Sequence, residues 1–181
     1  MIRWLIPAAA GLIGLILGFQ LMLGALPGFI MSKAMERFES LGGIANEEGH
    51  APPIDETARS VVRPSPDILY SGCLFDVSNG PMTVTAPAPS DGGYASVSFF
   101  DSRTNNFAVI NDRAVEGGSV RIILRANPGF DSHDDSTGYD ADTVIMAPTD
   151  TGLILYRRIW ADPGAFEETD TDRRRFDCSL G

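Results

Sequence analysis

The sequence predicts a mainly β protein: an antiparallel β-sandwich or jelly roll behind one N-terminal transmembrane helix, closed by a short C-terminal helix. Three observations predict it. Residues 4–31, WLIPAAAGLIGLILGFQLMLGALPGFIM, hold no charged side chain, and Gln20 is their one strongly polar group. From Asp67 onward, short apolar or alternating runs recur between turn residues, a pattern of strands rather than helices. Near the end, DPGAFEETDTDRRRF places Glu167 and Glu168 ahead of Arg173, Arg174 and Arg175, the charge order that a helix dipole favours.

A helix from Trp4 to Leu26 has 23 residues and reaches roughly 34 Å, enough to cross a ~30 Å hydrocarbon core. Pro7 falls in its first turn, where a missing N–H costs little, and Pro27-Gly28 is expected to end it. The alternative is a cleaved signal peptide, with Ser32–Ala34 as a small-residue cleavage site. The apolar region of such a peptide spans only about 7–15 residues, and this one is longer. SKAMERFESLGG then reads as a short amphipathic helix at the membrane surface. Ala34, Met35, Phe38 and Leu41 fall near one face, and Gly42-Gly43 stops it. The next stretch carries Pro52, Pro53 and Pro64 without a sustained period and reads as a linker. The expected organisation is an anchor over 1–30, a juxtamembrane helix over 31–43, a linker over 44–64 and a β-sandwich domain over 65–181.

Within that domain ILYSGCLFDV leads through Asn79-Gly80, a strong two-residue hairpin signal, into MTVTA. YASVSFF alternates, setting Ala95, Val97 and Phe99 opposite Tyr94, Ser96, Ser98 and Phe100. NFAVIN, SVRIILRA, DTVIMA and GLILYRRIW follow, separated by Gly117-Gly118, a long loop over 127–141 and Thr149–Thr151. Seven short strands at this spacing argue a sandwich or jelly roll.

Charge narrows the function classes. The chain carries a formal −10; residues 1–42 contribute +1, so residues 43–181 carry −11. Such a surface repels phosphate backbones and disfavours nucleic-acid binding. Arg3 on one side of the apolar run and Lys33 with Arg37 on the other leave the positive-inside rule balanced. The cysteines tip the orientation. Cys73 and Cys178 are the only pair, and two thiols in an exported domain favour a disulfide. We therefore expect the amino terminus in the cytoplasm, the anchor (residues 4–26) in the inner membrane and the domain in the periplasm. Two unrelated buried thiols are the alternative.

Reactive constellations are sparse. Only His50 and His133 exist, one of them in the expected linker, so a His-rich metal site cannot be built, and no metal or cofactor is expected. The loop DSHDDSTGYDAD is acidic enough to offer calcium ligands but departs from the usual loop spacing, and reads as a solvated loop. Cys73 as a nucleophile lacks a base in fixed reach. Ser71, Ser96 or Ser98 with His133 lacks the strained turn of a serine nucleophile. Arg113, Arg157 and Arg158 stand out more. Adjacent strand residues point to opposite faces, so one of Arg157 and Arg158 faces inward. A buried arginine demands a carboxylate or carbonyl partner. That partner is an internal aspartate, with Asp67 and Asp101 as candidates, or else the arginine serves as a clamp for an external carboxylate or other anion.

Several stretches together resemble a known family. SPDILYSGCLFDVSNGPMTVTAP, with Pro66, Asp67, Tyr70, Ser71, Asp76, Gly80, Pro81 and Pro87, is similar to the opening of the family called domain of unknown function 1254. YASVSFFDSRTNNFAVINDR is similar to its next block, through Thr104, Asn105, Phe107 and Arg113. APTDTGLILYRRI is similar to a further block, through Pro148, Thr149, Leu155 and Arg157. Ile68 and Gly93 depart from it, where members often carry Thr and Arg. The resemblance implies a jelly-roll-like β fold over roughly residues 64–178, with no settled activity. Longer relatives carry a companion, domain of unknown function 1214, in the same chain. Its absence here implies a separate protein that supplies it. The expected role is a membrane-anchored, non-catalytic binding or assembly subunit. The alternative is an enzyme or half-enzyme with its site at the joint of the two domains. In either case Asp67, Tyr70, Arg113 and Arg157 are the candidate binding residues, as polar groups on matched motifs.

Overall fold

The uncharged run folds as a single helix, α1 (Leu5–Ser40), 36 residues long and apolar enough to cross a membrane. The computed structural model describes residues 4–54, 64–114, 118–127, 143–160 and 162–180. Trp4 to Leu26 are exposed on every side of the helix, as expected of a helix that is apolar all round. Pro27, expected to end the helix, lies inside it. The missing N–H and ring clash cost about 3 kcal/mol locally, and the turns beyond are held from outside. Met31 is buried, Gly28 approaches the Ser102 carbonyl, and the Phe38 ring packs over Gly43, Gly49 and Gly72. The expected juxtamembrane helix is thus the last turns of α1, and of its apolar residues Phe38 packs on the folded domain while Leu41 stays exposed.

Among the described residues nine strands follow: β1 (Glu48–His50), β2 (Ile68–Asp76), β3 (Met82–Pro87), β4 (Ala95–Asp101), β5 (Asn106–Asn111), β6 (Ser119–Ala126), β7 (Thr143–Ala147), β8 (Thr151–Ile159) and β9 (Asp177–Leu180). One sheet has the order β1-β2-β8-β4-β5, the other β7-β6-β3-β9. The strand pairs are antiparallel except β6–β7, which is parallel, so the second sheet is mixed. A short helix, α2 (Phe166–Arg173), precedes β9; Glu167 and Glu168 lie in its first turn and Arg173 in its last.

All seven expected strands form. Their pairing differs in two respects: β7 runs parallel to β6 where the sequence predicts an antiparallel sandwich, and β2 and β3 are not a hairpin. β2 pairs with β1 and β8, and β3 pairs with β6 and β9 in the other sheet. A type I′ turn needs a left-handed backbone at both central residues, and Asn79 does not adopt one. Instead Val77 N–H donates to Asp150 O, and the chain crosses between sheets. The tight hairpin is β4–β5, where the Asp101 carboxylate accepts from the amides of Arg103 and Asn105 and from the Asn105 side chain, with Thr104 left-handed at φ 67°.

β1 lies inside the stretch expected to be linker. Asn46 anchors it: its side chain accepts from Asp76 N–H at 2.8 Å and donates to Asp76 O at 3.1 Å. The core between the sheets is built from Cys73, Phe75, Val84, Val97, Phe99, Ile122, Leu124, Ile154 and Tyr156, among others. Cys73 of one sheet is bonded to Cys178 of the other, so the disulfide staples the two layers. The acidic loop 131–142 with His133 lies outside the described residues.

Candidate functional site

Residues 157 and 158 of β8 divide two polar neighbourhoods, because strand alternation sends them to opposite faces. Arg158 turns inward and is 1% exposed. It donates to Asp91 at 2.5 Å and to Ile159 O at 2.8 Å, and its Nε lies 4.0 Å from Asp172. The internal bridge expected from the sequence exists, but with Asp91 and Asp172 rather than Asp67 or Asp101. Asp101 is spent on its own turn, and the Asp67 side chain is exposed in the turn before β2. The hydrogen bond from Gly93 N–H, with Arg158 beside it, outweighs burial and holds the Asp91 carboxyl below the usual range. Gly93, a departure from the family pattern, has its Cα pressed close: a Cβ there would lie 2.6 Å from Arg158 Nη1.

A second buried arginine comes from α2. Arg173 is fully buried. It donates to Asp170, to the carbonyls of Tyr70 and Ala51, and to the Ser71 hydroxyl. One side chain therefore ties α2 to β2 and to the residue after β1. Burial would raise the Asp170 carboxyl, but the hydrogen bonds from Arg174 and Arg173 outweigh it and hold it low. His50, expected in a linker, sits 2.8 Å through Nδ1 from Ser71 Oγ. Burial, and then the Arg173 charge, push its pKa down. Ser71 is buried beneath this group, so the pair reads as a satisfied core contact. Tyr156, raised by burial, donates to Pro87 O at 2.8 Å and stacks on Phe176.

The outward neighbourhood is different. Register aligns Tyr70, Arg157, Ser96 and Asn111 across four strands on the outer face of the first sheet. Arg157 Nη2 donates to Ser98 Oγ at 2.7 Å. That is its one side-chain hydrogen bond among the described residues, no carboxylate pairs with it, and its buried Nε has no partner. Of the four candidate binding residues, then, Tyr70 and Arg157 meet as cross-strand neighbours. Asp67 contributes its carbonyl to Trp160 N–H at 2.8 Å. Arg113 is exposed in the short 3-10 turn Asp112–Ala114. Neither contacts Arg157.

The gap between the sheets beside Tyr156 and Pro87 measures about 10 Å³, the size of a single water at most. An open depression of about 400 Å³ lies beside α2, lined by Ser90, Glu167, Glu168, Thr171, Asp172 and Arg175; Asp172 there already accepts from Arg175 and from Ser90 N–H. No group of three or more His, Cys, Asp or Glu poised for a metal exists among the described residues.

Fold and site define a two-sheet β protein carried on an apolar N-terminal helix. The chain belongs to the DUF1254 family, described as a protein of unknown function, whose profile matches residues 45–179. Among solved structures it is similar to the VPA0106 protein from Vibrio parahaemolyticus, with TM-score 0.63 and 14% identity over 87% of this chain and 37% of that one. An uncharacterized protein from Burkholderia cenocepacia aligns with TM-score 0.48 and 14% identity, over 76% of this chain and 34% of that one. The chain thus spans about a third of the length of these solved chains. No curated protein matches it.

Proposed function

We propose that this protein is a single-pass component of the inner membrane whose periplasmic, jelly-roll-like domain is a non-catalytic binding or assembly module. Residues 4–26 form its anchor on this reading. A separate protein carrying the companion domain of unknown function 1214 is the partner. The observation that carries the reading is the 37% share of the longer Vibrio chain that this fold accounts for: the same unit occurs there beside further chain. The buried disulfide supports an oxidising compartment. Docking of α1 on the first sheet through Phe38 and Met31 holds the domain close to the bilayer, where a membrane-bound partner would meet it.

Co-purification from membranes in mild detergent tests this. We expect a second protein in stoichiometric amount; a chain running alone at the mass of one copy sinks the assembly reading. Alkylation before a non-reducing gel tests the compartment, with both thiols blocked in the native protein as the expected result.

A second reading places an enzymatic or half-enzymatic site at the joint with the companion. The juxtaposition of Tyr70 with Arg157, an arginine with no acid among the described residues, favours it; Asp67 and Arg113 would join only through the partner. Arg157→Ala abolishing a cellular phenotype while the partner still co-purifies would favour this reading over assembly.

A further inference from the structure

Among the described residues, the outer face of the first sheet carries a cation without a counter-ion, in a structure that otherwise pairs its buried arginines. Arg158 and Arg173 each meet an aspartate, and even the exposed Arg174 and Arg175 do. Arg157, half-buried, meets only a serine. A guanidinium donor buried without a partner costs about 1–3 kcal/mol or more, and a carboxylate matches the guanidinium fork in shape and charge. The surrounding register positions are neutral: Tyr70 and Ser96 on either side, and Leu155 two residues back on β8. Nothing in that row repels an incoming negative charge.

The rim supplies the second half of the argument. Ile159 is the next outward residue of β8, and Tyr94 offers its carbonyl to the Ile159 amide. Val109 lies opposite Ser98 on the edge strand β5. These three are 36%, 40% and 54% exposed; by register Ile159 and Tyr94 lie next to Arg157, and Val109 lies beyond the Ser98 that holds its guanidinium. A charge at the centre and apolar surface at the edge fit an amphipathic anion. The −11 carried by residues 43–181 works against a dianion such as phosphate, and favours a monoanion that gains from apolar contact.

Lipid is the wrong source. α1 leaves its fully exposed segment near Gly28, beside Ser102, at the Asp101–Gly152 end of the sheet. Arg157 lies five residues further along β8, roughly 17 Å at strand rise; with β8 running along the membrane normal this sets it beyond a headgroup layer only about 5–8 Å deep.

We propose that Arg157, with Ser98 holding its guanidinium and Tyr94, Val109 and Ile159 as the apolar rim, forms a site for a small carboxylic acid with an apolar body. The inference rests on reading this face as a binding surface.

The test uses the full chain in detergent micelles, with arginine side-chain Nε–Hε resonances observed by NMR and Arg157 assigned by its loss in Arg157→Lys. Phenylacetate is the probe. We expect a saturable shift at Arg157, at least tenfold weaker binding of acetate, and none of phenylacetamide. Arg157→Lys should weaken phenylacetate at least tenfold, about 1.4 kcal/mol, with the unfolding midpoint unchanged. Tyr94→Ser, which leaves the charge in place, should weaken phenylacetate but not acetate. Equal binding of phenylacetamide, full affinity in Arg157→Lys, or shifts confined to other arginines overturn the proposal. A tripeptide acid ending in Phe that binds tenfold tighter than phenylacetate overturns the small-acid assignment. Phenylacetate binding is read on the purified chain and assembly on co-purification, so failure of one is distinguishable from failure of the other.

Discussion

Removing the disulfide should cost about half of the domain's stability, and the structure supplies the magnitude. Cys73 and Cys178 are 105 residues apart, and a cross-link closing a loop of that length is worth about 4.7 kcal/mol in the chain-entropy model. Both sulfurs are buried in the core between the sheets, so replacing both residues by Ala also removes two buried groups, at about 0.8 kcal/mol each. The expected loss for Cys73→Ala with Cys178→Ala is therefore about 6 kcal/mol, against a typical stability of ~5–15 kcal/mol. Trp160, which packs edge-on against Phe166 with ring centroids 4.9 Å apart, reports unfolding by fluorescence in urea once Trp4 is replaced by Phe. The slope of stability against urea should rise in the variant, because an unbridged denatured chain exposes more surface. A loss below about 2 kcal/mol with an unchanged slope would refute the reasoning, since the stabilisation would then not come from constraining the unfolded chain.

Arg173→Met strips Asp170 of one cation and frees the carbonyls of Tyr70 and Ala51; we expect about 3 kcal/mol of destabilisation by urea titration, the lower end for a broken buried pair because Arg174 still reaches Asp170. Gly72→Ala sets a methyl 2.9 Å from the Phe38 ring and should cost about 1–2 kcal/mol, a cost that largely vanishes in a Phe38→Ala background if the clash is its cause. His50 has its pKa pushed below the ordinary 6.5, first by burial and then by Arg173 and Arg174, with Glu48 and Asp170 opposing. Its contribution is therefore present above that value and lost as pH falls through the folded pKa. Stability measured from pH 7 down to about 5 should fall, and His50→Gln should flatten that slope; an unchanged slope means that another group titrates.

Elements whose apolar period is long enough to count were legible in the residues: α1, the seven longer strands and the charge-ordered α2. β1 and β9 were not, because strands of three and four residues are too short for a period to register; β1 is recruited instead by Asn46 bonding to β2. The Asn79-Gly80 pair misled for a related reason. Turn chemistry permits a hairpin but does not choose the partner strand, and here both edges of β2 are taken by β1 and β8, so the chain passes to the other sheet. Of the candidate site, Tyr70 beside Arg157 lies within reach of strand arithmetic, since both sit on paired strands. Arg158's partners do not. Asp91 sits in a loop and Asp172 on α2, and only the closed fold brings them to the same guanidinium. His50 escaped notice because the residues around it read as linker.

The two neighbouring arginines of β8 separate stability from recognition within a single dipeptide. Arg158 is enclosed, paired with the half-exposed Asp91 and close to the buried Asp172, so its removal breaks an ion pair, takes a cation from beside Asp172 and empties the space its side chain fills. Arg157 has no carboxylate to strand, and its removal leaves Ser98 with one lost hydrogen bond. Arg158→Met should therefore lower the stability read by urea titration by about 2–3 kcal/mol. Arg157→Met should lie within about 1 kcal/mol of wild type, or above it if the orphaned Nε is a net cost of the folded state. Loss of partner or ligand binding should follow the opposite order. Both arginines leave a buried Nε without a hydrogen bond, but only Arg158 has aspartates beside it; among the described residues Arg157 carries its charge with no acid to offset it, a cost that pairing elsewhere in the molecule shows to be avoidable. That cost is recovered when an external anion arrives. If Arg157→Met proves as destabilising as Arg158→Met, the outer arginine is structural after all, and the carboxylate site has no physical basis.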